Sequence, residues 1–554
     1  MGVHVSRNFK SLKMGFAFAF AVTGLLIGFQ NCSGVNFVEA PPPSHSLSAN
    51  ATPESLPHPI ACVANEADKV QLKIKWDWYP LLDQTKPENF PEFSQVMMTP
   101  LVADLNNDTI PEVVFTTFTT DYSKLVKGSS QSIYNQNGVL RIVDGRTGQT
   151  IKSVGELSLA PFGTGQPLLV DLDGDLKKEI LYAHHTLTKI IALNFDGSFR
   201  WEMDTHRSVG RNNLASYKDA SGKVHMSVDG ILFSENDSNH QPQIQRDLGG
   251  GAFTQFFFPL SPEQTDKPKL FTSKGVFDPE TGNSIFQYPF SAYVAAAELN
   301  PNYAGYEVVG MSNGNFYFTS PSEGKVIVNK DLSGINELLC GSGRVGGGTP
   351  TVGNFDDNPE TAEIAVATGR YLSIFDSNAE LIAKYETQDC SSLVTGISSF
   401  DFNGDGKTEI LYADEKYLRV FELRGNELVV VKSEVNPSGT LFEFPVVVDV
   451  DGNNDSDLIL ASNNYAVGGL YRDAEDQNAK EIAKNITGVR AFSSATDHGW
   501  MPTNPSWPQF SYNPLMALRD QDQKGSKSYF EGYLARTFGR NSQLSIFEPS
   551  CVNE

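Results

Sequence analysis

An acidic loop of nine residues recurs in this sequence, each time between two apolar segments. Its four copies begin at Asp104, Asp171, Asp401 and Asp449. Each copy carries oxygen-bearing side chains at its first, third, fifth and ninth positions and leads into a strand-like run such as EILYA or EVVFTT. Because alternate residues of a tight loop point the same way, the first, third and fifth side chains can converge on one cation. The spacing therefore predicts a metal site in each loop.

The donor atoms of these loops favour calcium. Calcium takes six to eight oxygen ligands at about 2.3–2.6 Å, from carboxylates, amides, backbone carbonyls and water. The seventh position can add its backbone carbonyl, so its side chain is free to vary, and the ninth position closes the shell with an acid. The loops contain no thiolate or imidazole, so zinc and copper are poor candidates. Magnesium is possible but prefers stricter octahedral geometry. We expect Ca²⁺ at about four sites, one for each loop.

These loops and their flanks resemble the FG-GAP/VCBS repeats of the integrin α-subunit type of β-propeller. The resemblance is carried by PLVADLNNDTIPEVVF at residues 100–115, FDFNGDGKTEILYA at 400–413 and PVVVDVDGNNDSDLILA at 445–461. It implies calcium held in the loops between the first two strands of several blades. The implied ligands are Asp104, Asn106, Asp108 and Glu112; Asp171, Asp173, Asp175 and Glu179; Asp401, Asn403, Asp405 and Glu409; and Asp449, Asp451, Asn453 and Asp457. The position-seven residues are Ile110, Lys177, Lys407 and Asp455.

The repeats predict an all-β fold, and the resemblance implies a single β-propeller of four-stranded blades. Since one repeat cannot bury its own apolar face, neighbouring repeats must stack. We count eight units, and seven is the alternative because two units, within residues 212–289, lack the acidic loop. In two further units the closing acid, Glu307 or Glu363, falls one position late, which puts calcium there in doubt. An isolated strand at residues 70–76 is expected to complete the last blade.

The beginning of the chain resembles a bacterial lipoprotein signal. A basic start and an apolar segment at residues 14–29 lead to Cys32, the expected lipidation site, within a predicted signal peptide over residues 1–32. Phe29 and Asn31 depart from the usual lipobox, so cleavage by ordinary signal peptidase and a retained anchor stay open. We expect export to the cell envelope as an outer-membrane lipoprotein, with the lipid anchor as the only membrane contact.

Three further segments complete the organisation. Residues 33–69 are rich in proline and serine and are expected to form a tether. The propeller is expected over residues 70–490. Residues 491–554 are rich in aromatic residues and proline and are expected to form a C-terminal cap, with a carbohydrate-stacking patch as the alternative.

The cysteines of an exported chain are candidates for disulfides. With Cys32 lipidated, four remain, namely Cys62, Cys340, Cys390 and Cys551, and they allow three pairings. A bond between Cys62 and Cys551 would join the two ends of the chain and lock the ring, and this pairing is a hypothesis.

The net charge of the chain and the spacing of its acids argue against some classes of function. The net charge of −23 argues against nucleic-acid binding. The abundant carboxylates have ion-ligand spacing, and a carboxylate bound to calcium is a poor general acid. We therefore expect no enzyme but a calcium-stabilised envelope lipoprotein that binds a protein or glycan partner on the propeller face. The alternatives are a propeller-based enzyme acting on polysaccharide and a structural envelope component. The oligomeric state stays open.

Overall fold

The structure, a computed structural model, describes most of the chain after the first 69 residues. The described residues are 70–80, 88–125, 136–210, 213–236, 238–251, 254–261, 267–332, 345–358, 361–453, 455–496, 499–503, 505–510 and 542–543. The predicted signal peptide with Cys32, the predicted tether, and Cys62, Cys340 and Cys551 lie outside these residues. Cys390 is the one candidate cysteine within them, so the disulfide pairing stays a prediction.

Eight antiparallel sheets of four strands, the blades, make up the described part of the chain. Blade 1 contains Leu101–Ala103, Glu112–Thr119, Val139–Asp144 and Thr150–Val154, and blade 2 contains Leu168–Val170, Glu179–Ala183, Lys189–Leu193 and Phe199–Asp204. Blade 3 contains Leu214–Lys218, Val224–Val228, Ile231–Glu235 and Pro242–Asp247, and blade 4 contains Gln255–Phe258, Lys269–Thr272, Gly275–Phe277 and Ser284–Gln287. The first strand of each blade is the innermost, since first strands of successive blades approach one another.

The remaining blades follow the same order. Blade 5 contains Tyr293–Ala297, Glu307–Ser312, Asn315–Ser320 and Lys325–Asp331, and blade 6 contains Thr351–Gly353, Glu363–Ala367, Tyr371–Phe375 and Leu381–Glu386. Blade 7 contains Ile397–Phe400, Glu409–Ala413, Tyr417–Arg424 and Glu427–Val435. Blade 8 contains Val446–Val448, Asp457–Ser462 and Gly488–Ser494, and its outer strand is Leu72–Trp78. The expectation of eight four-stranded blades is confirmed, and the seven-blade alternative is wrong.

Burial along a blade explains why these segments form strands. Second strands such as Glu179–Ala183 are buried at every residue because neighbouring blades cover both faces. Outer strands such as Phe199–Asp204 alternate between buried and exposed residues because only one of their faces is covered. Beyond its inner edge, blade 1 also pairs Phe93–Gln95 with the end of its second strand.

The two ends of the propeller meet in blade 8. The strand Leu72–Trp78 pairs antiparallel with Gly488–Ser494, as expected for the isolated strand near residue 70. Trp76 donates a hydrogen bond from Nε1 to the carbonyl of Gly145 in blade 1, at 2.7 Å. Trp78 packs edge-on against Phe115 of blade 1, with ring centroids 4.8 Å apart. One strand therefore completes the last blade and seals it against the first.

Segments outside the strands fill the remaining gaps. Two short helices, Val467–Leu470 and Gln477–Ala483, were not predicted and are inserted before the third strand of blade 8. No helix in the described part of the chain is both long and apolar enough to span a bilayer. Ser542–Gln543 pairs in parallel with the inner strand of blade 7.

The described part of the aromatic C-terminal segment packs against the inner strands. Trp507 pairs with Val102 of blade 1, and Leu169 of blade 2 donates its N–H to the carbonyl of Pro508, at 2.8 Å. Trp500 and Trp507 are 3% and 0% exposed. This burial leaves neither indole a free face on which a sugar could stack.

The closing strand generates a stability prediction. Replacing Trp76 by Ala removes a buried indole and its hydrogen bond, and we expect a loss of about 3–5 kcal/mol in the free energy of unfolding. Urea denaturation followed by fluorescence measures it. The control Ile74→Ala changes a side chain that is 53% exposed on the same strand and should stay within about 0.5 kcal/mol. Equal losses for the two variants would contradict the sealing role of Trp76.

Candidate metal centre: the acidic loops of four adjacent blades

The four acidic loops all connect the first and second strands of their blades, as the resemblance implied. They belong to blades 1, 2, 7 and 8. Because the ring closes between blades 8 and 1, these are four consecutive blades, although the loops lie near opposite ends of the sequence. First strands run in the same direction, so the loops lie on one face of the propeller. The structure thus places the loops side by side, and in blades 2 and 8 it brings the first, third and ninth carboxylates together.

The loops are shaped by hydrogen bonds to their own backbone. In blade 7, Asp401 accepts hydrogen bonds from the N–H groups of Gly404 and Gly406, at 2.6 and 3.0 Å. Both glycines have positive φ, +74° and +85°, a conformation that glycine adopts without strain. The fifth side chain accepts a hydrogen bond from the seventh N–H in all four loops, at 2.7–2.9 Å. The oxygens at the first and fifth positions are therefore held in place before any ligand binds.

The closing acid has a second role that the sequence did not reveal. In blade 7, Glu409 accepts a hydrogen bond through Oε2 from the N–H of Phe402, the second residue of the loop, at 3.0 Å. Equivalent bonds occur in five other blades, at Glu112–Leu105, Glu179–Leu172, Asp457–Val450, Glu307–Leu299 and Glu363–Phe355. We call this bond the clasp. It persists in blades 5 and 6, where the acid is one residue late, so the clasp does not depend on the nine-residue spacing.

Ionisation of the closing acids is unfavourable because their side chains are buried. Burial, together with nearby aspartates, raises the pKa of Glu112 and Glu179 to about 7. Burial and the neighbouring Asp405 raise the pKa of Asp401 to about 6. Burial and Asp401 raise the pKa of Glu409 well above its usual range. A bound cation would favour the ionised form of these groups.

The donor types in the loops of blades 1 and 7 fit calcium. Their donors are all oxygens, and the side-chain oxygen Oδ1 of Asn106 is buried with no hydrogen-bond partner among the described residues. The amide nitrogen of Asn106 donates to Glu112 at 2.8 Å, and that of Asn403 donates to Glu409 at 3.3 Å, which turns the amide oxygen away from the clasp. In these two loops the first, third, fifth and ninth side chains would hold the ion, which would supply positive charge among buried acids.

Blades 2 and 8 differ because a basic side chain contacts the acids. Carboxylate oxygens of Asp171, Asp173 and Glu179 lie within 4.8 Å of one another, and so do those of Asp449, Asp451 and Asp457. Arg200 contacts the first group and Lys75 the second. Both cations come from outer strands and were missed in the sequence, since neither lies in the loop it contacts.

Neighbouring loops are joined by hydrogen bonds. Lys178 in the blade 2 loop donates its N–H to the carbonyl of Leu105 in the blade 1 loop, at 3.0 Å. The N–H of Thr408 in the blade 7 loop donates to the carbonyl of Asn354 in blade 6, at 2.8 Å. Between blades 7 and 8, Met501 of the C-terminal segment bridges the two loops. Its N–H donates to the carbonyl of Phe402, and its carbonyl accepts a hydrogen bond from the hydroxyl of Ser456. Stiffening one loop therefore constrains the next.

Comparison with known proteins agrees with this architecture. Residues 401–488 match the FG-GAP-like repeat family, so the predicted FG-GAP-type repeat is confirmed in blades 7 and 8, and the chain is a β-propeller with FG-GAP-like repeats. No curated protein matches the sequence.

Several solved structures are similar to this chain. The biofilm matrix protein Bap1 of V. cholerae is 16% identical, with a TM-score of 0.63 over 86% of this chain and 99% of that one. Rhamnogalacturonan lyase PL11 of Bacillus licheniformis is 15% identical, with a TM-score of 0.48 over 70% and 74% of the two chains. The exotype rhamnogalacturonan lyase YesX is 11% identical, with a TM-score of 0.47 over 72% of each chain. At 16% identity the likeness to Bap1 shows the fold alone.

The clasp generates a pH prediction in blade 5. Burial raises the pKa of Glu307 to about 8, so the folded state keeps a proton that the unfolded state releases near pH 4.5. The contribution of Glu307 to stability must therefore fall as pH rises between about 4.5 and about 8, and it must level off above that range. Glu307→Gln keeps an oxygen acceptor for the clasp and removes the titration.

The measurement is urea denaturation of wild type and Glu307→Gln at about pH 6 and about pH 8.5. We expect the variant to lose less stability than wild type between the two values. Glu427→Gln, at an exposed position outside the loops, is the matched control and should follow wild type. An identical fall in all three proteins would contradict a raised pKa for Glu307.

Proposed function

We propose that this protein is an exported cell-envelope lipoprotein whose calcium-stabilised propeller binds a protein or glycan partner. The observation that carries the proposal is the row of linked acidic loops on four consecutive blades. Ions bound in such loops would stiffen a contiguous part of one face, and a rigid surface loses less conformational entropy when a partner binds. We propose a binding module rather than an enzyme.

The surface charge supports a partner that tolerates or uses acidic groups. Asp108 and Asp175 are exposed on the loop face, and the chain carries a net charge of −23. Such a surface repels anionic partners and favours basic protein surfaces or glycans that contact a bound calcium ion. The lipoprotein-type signal supports placement at the envelope, with Cys32 as the anchor.

Calcium binding can be tested by thermal unfolding of the purified protein with calcium or with EDTA. A ligand present at about 100 times its Kd stabilises the folded state by about 2.7 kcal/mol per site, so we expect the midpoint to fall by several degrees in EDTA. Asp401→Asn removes one charge from the blade 7 loop and should reduce this difference, whereas Glu427→Gln should not. Equal midpoints with and without EDTA would contradict calcium stabilisation.

Partner binding can be tested with the calcium-loaded protein on a glycan array and in pull-downs from envelope extract. We expect a retained partner that is lost in EDTA, because the ions fix the loops. Turnover of a polysaccharide by the purified protein, detected as new reducing ends or unsaturated sugars, would instead favour the enzyme alternative. Failure to bind any envelope component would favour a structural role.

A further inference from the structure

The basic side chain in the blade 8 loop occupies an unusual backbone position. The outer strand Leu72–Trp78 shifts its register against the third strand between Ile74 and Trp76. Lys75 is therefore the extra residue of a β-bulge, a device that turns a side chain away from its normal direction. Its Nζ lies 3.0 and 2.9 Å from the two carboxylate oxygens of Asp457 and 2.5 Å from Asp451.

Blade 2 repeats the arrangement. Its outer strand shifts register between Phe199 and Trp201, so Arg200 is the bulge residue. Both terminal nitrogens of the Arg200 guanidinium lie 3.1 Å from Oδ2 of Asp173, and one lies 3.6 Å from Glu179. Its Nε also pairs with Glu235 of blade 3, at 2.6 Å. A basic side chain thus contacts the third and ninth positions of the loop in both blades.

Every blade has this outer-strand bulge, which allows a comparison within one chain. In the two Asn-containing loops, those of blades 1 and 7, the bulge residues are Ile151 and Val431. In blades 3 to 6, which lack the full ligand set, they are Gln245, Ile285, Ile327 and Ile382. Among the four loops with the full ligand set, a cation occurs at the bulge only in the two that have aspartate at the third position. The shorter ligand set of blade 6 also has an aspartate there, Asp356, but its bulge residue is Ile382.

In these four loops a basic bulge residue accompanies the extra negative charge at the third position. Asp173 and Asp451 add a negative charge where Asn106 and Asn403 are neutral, and the same two loops receive a positive charge from the bulge. In blade 8 the contacting carboxylates are shielded from solvent, since the side chain of Asp457 is 1% exposed and that of Asp451 is 12% exposed. In blade 2 Glu179 is buried and Asp173 is exposed. Both oxygens of Asp457 already accept hydrogen bonds from Lys75, and one also takes the clasp.

We propose that Lys75 takes the place of a calcium ion in blade 8, and Arg200 in blade 2, so that calcium binds only in the loops of blades 1 and 7. The proposal rests on the calcium binding proposed above and assigns it to particular blades. The three protons of the Lys75 ammonium are matched by the three carboxylate oxygens of Asp451 and Asp457 that it contacts. An ion entering the loop would have to expel this group from its buried partners.

Calcium bound per protein, counted by native mass spectrometry on the purified full chain, tests the assignment. Asp401→Asn in blade 7 should remove one ion, whereas the equivalent Asp449→Asn in blade 8 should remove none. Loss of one ion from Asp449→Asn would overturn this proposal and leave the proposed function intact. If wild type bound no calcium at all, both would fall.

The bulge residue can also be exchanged. Lys75→Ile gives blade 8 the bulge residue of blade 1 and should add one calcium ion, whereas Lys73→Ile, at an exposed position on the same strand, should add none. An unchanged count in Lys75→Ile would show that lysine does not exclude the ion, and would overturn the proposal.

The reciprocal change covers the case in which Lys75→Ile does not fold. Ile151 is 56% exposed, so blade 1 should accept a lysine there. Ile151→Lys combined with Asn106→Asp gives blade 1 the pattern of blade 8 and should remove one ion, whereas Ile151→Gln combined with Asn106→Asp should keep it. An ion retained by the lysine variant would overturn the proposal.

Discussion

The clasp, a hydrogen bond from the second backbone N–H of a loop to the acid that begins the next strand, is the interaction on which the rest of the site depends. It recurs in six of the eight blades, including blade 5, where Glu307 is buried and bonds Leu299. The clasp ties the two ends of the turn together whether or not an ion is present. It also keeps several carboxylates inside the protein, where their charge must be balanced by a proton, a metal ion or a basic side chain.

Ring closure decides which loops become neighbours. Asp104 and Asp449 are far apart in the sequence, yet their blades are adjacent because Leu72–Trp78 completes blade 8. Gly145 of blade 1 donates to the carbonyl of Pro111, and a side chain at that glycine would collide with the carbonyl of Val450 in blade 8. The loop face is therefore a property of the closed ring rather than of any one repeat.

Much of this architecture could be predicted because it depends on the spacing of residues that are close in the sequence. The nine-residue loops, the eight units and the closing strand near residue 70 need only nearby residues, and the structure agrees with them. The bulge cations could not be predicted in this way. Lys75 lies 382 residues from Asp457, and simple alternation would place Ile74 on the same covered face as Trp76, whereas Ile74 is 53% exposed. Only the backbone pairing of the outer strand reveals the bulge that turns Lys75 inward.

Two ways of balancing the same buried charge have different consequences for the ring. Lys75 connects the outer strand of blade 8 to the loop at the inner end of that blade, and the strand it sits on is the one that closes the propeller. If the ammonium stands in for an ion there, closure does not depend on the calcium concentration around the protein. Blades 1 and 7 flank blade 8, and their loops gain their positive charge only from a bound ion. Calcium would then adjust the stiffness of the loops on either side of a closure that is permanently held by lysine.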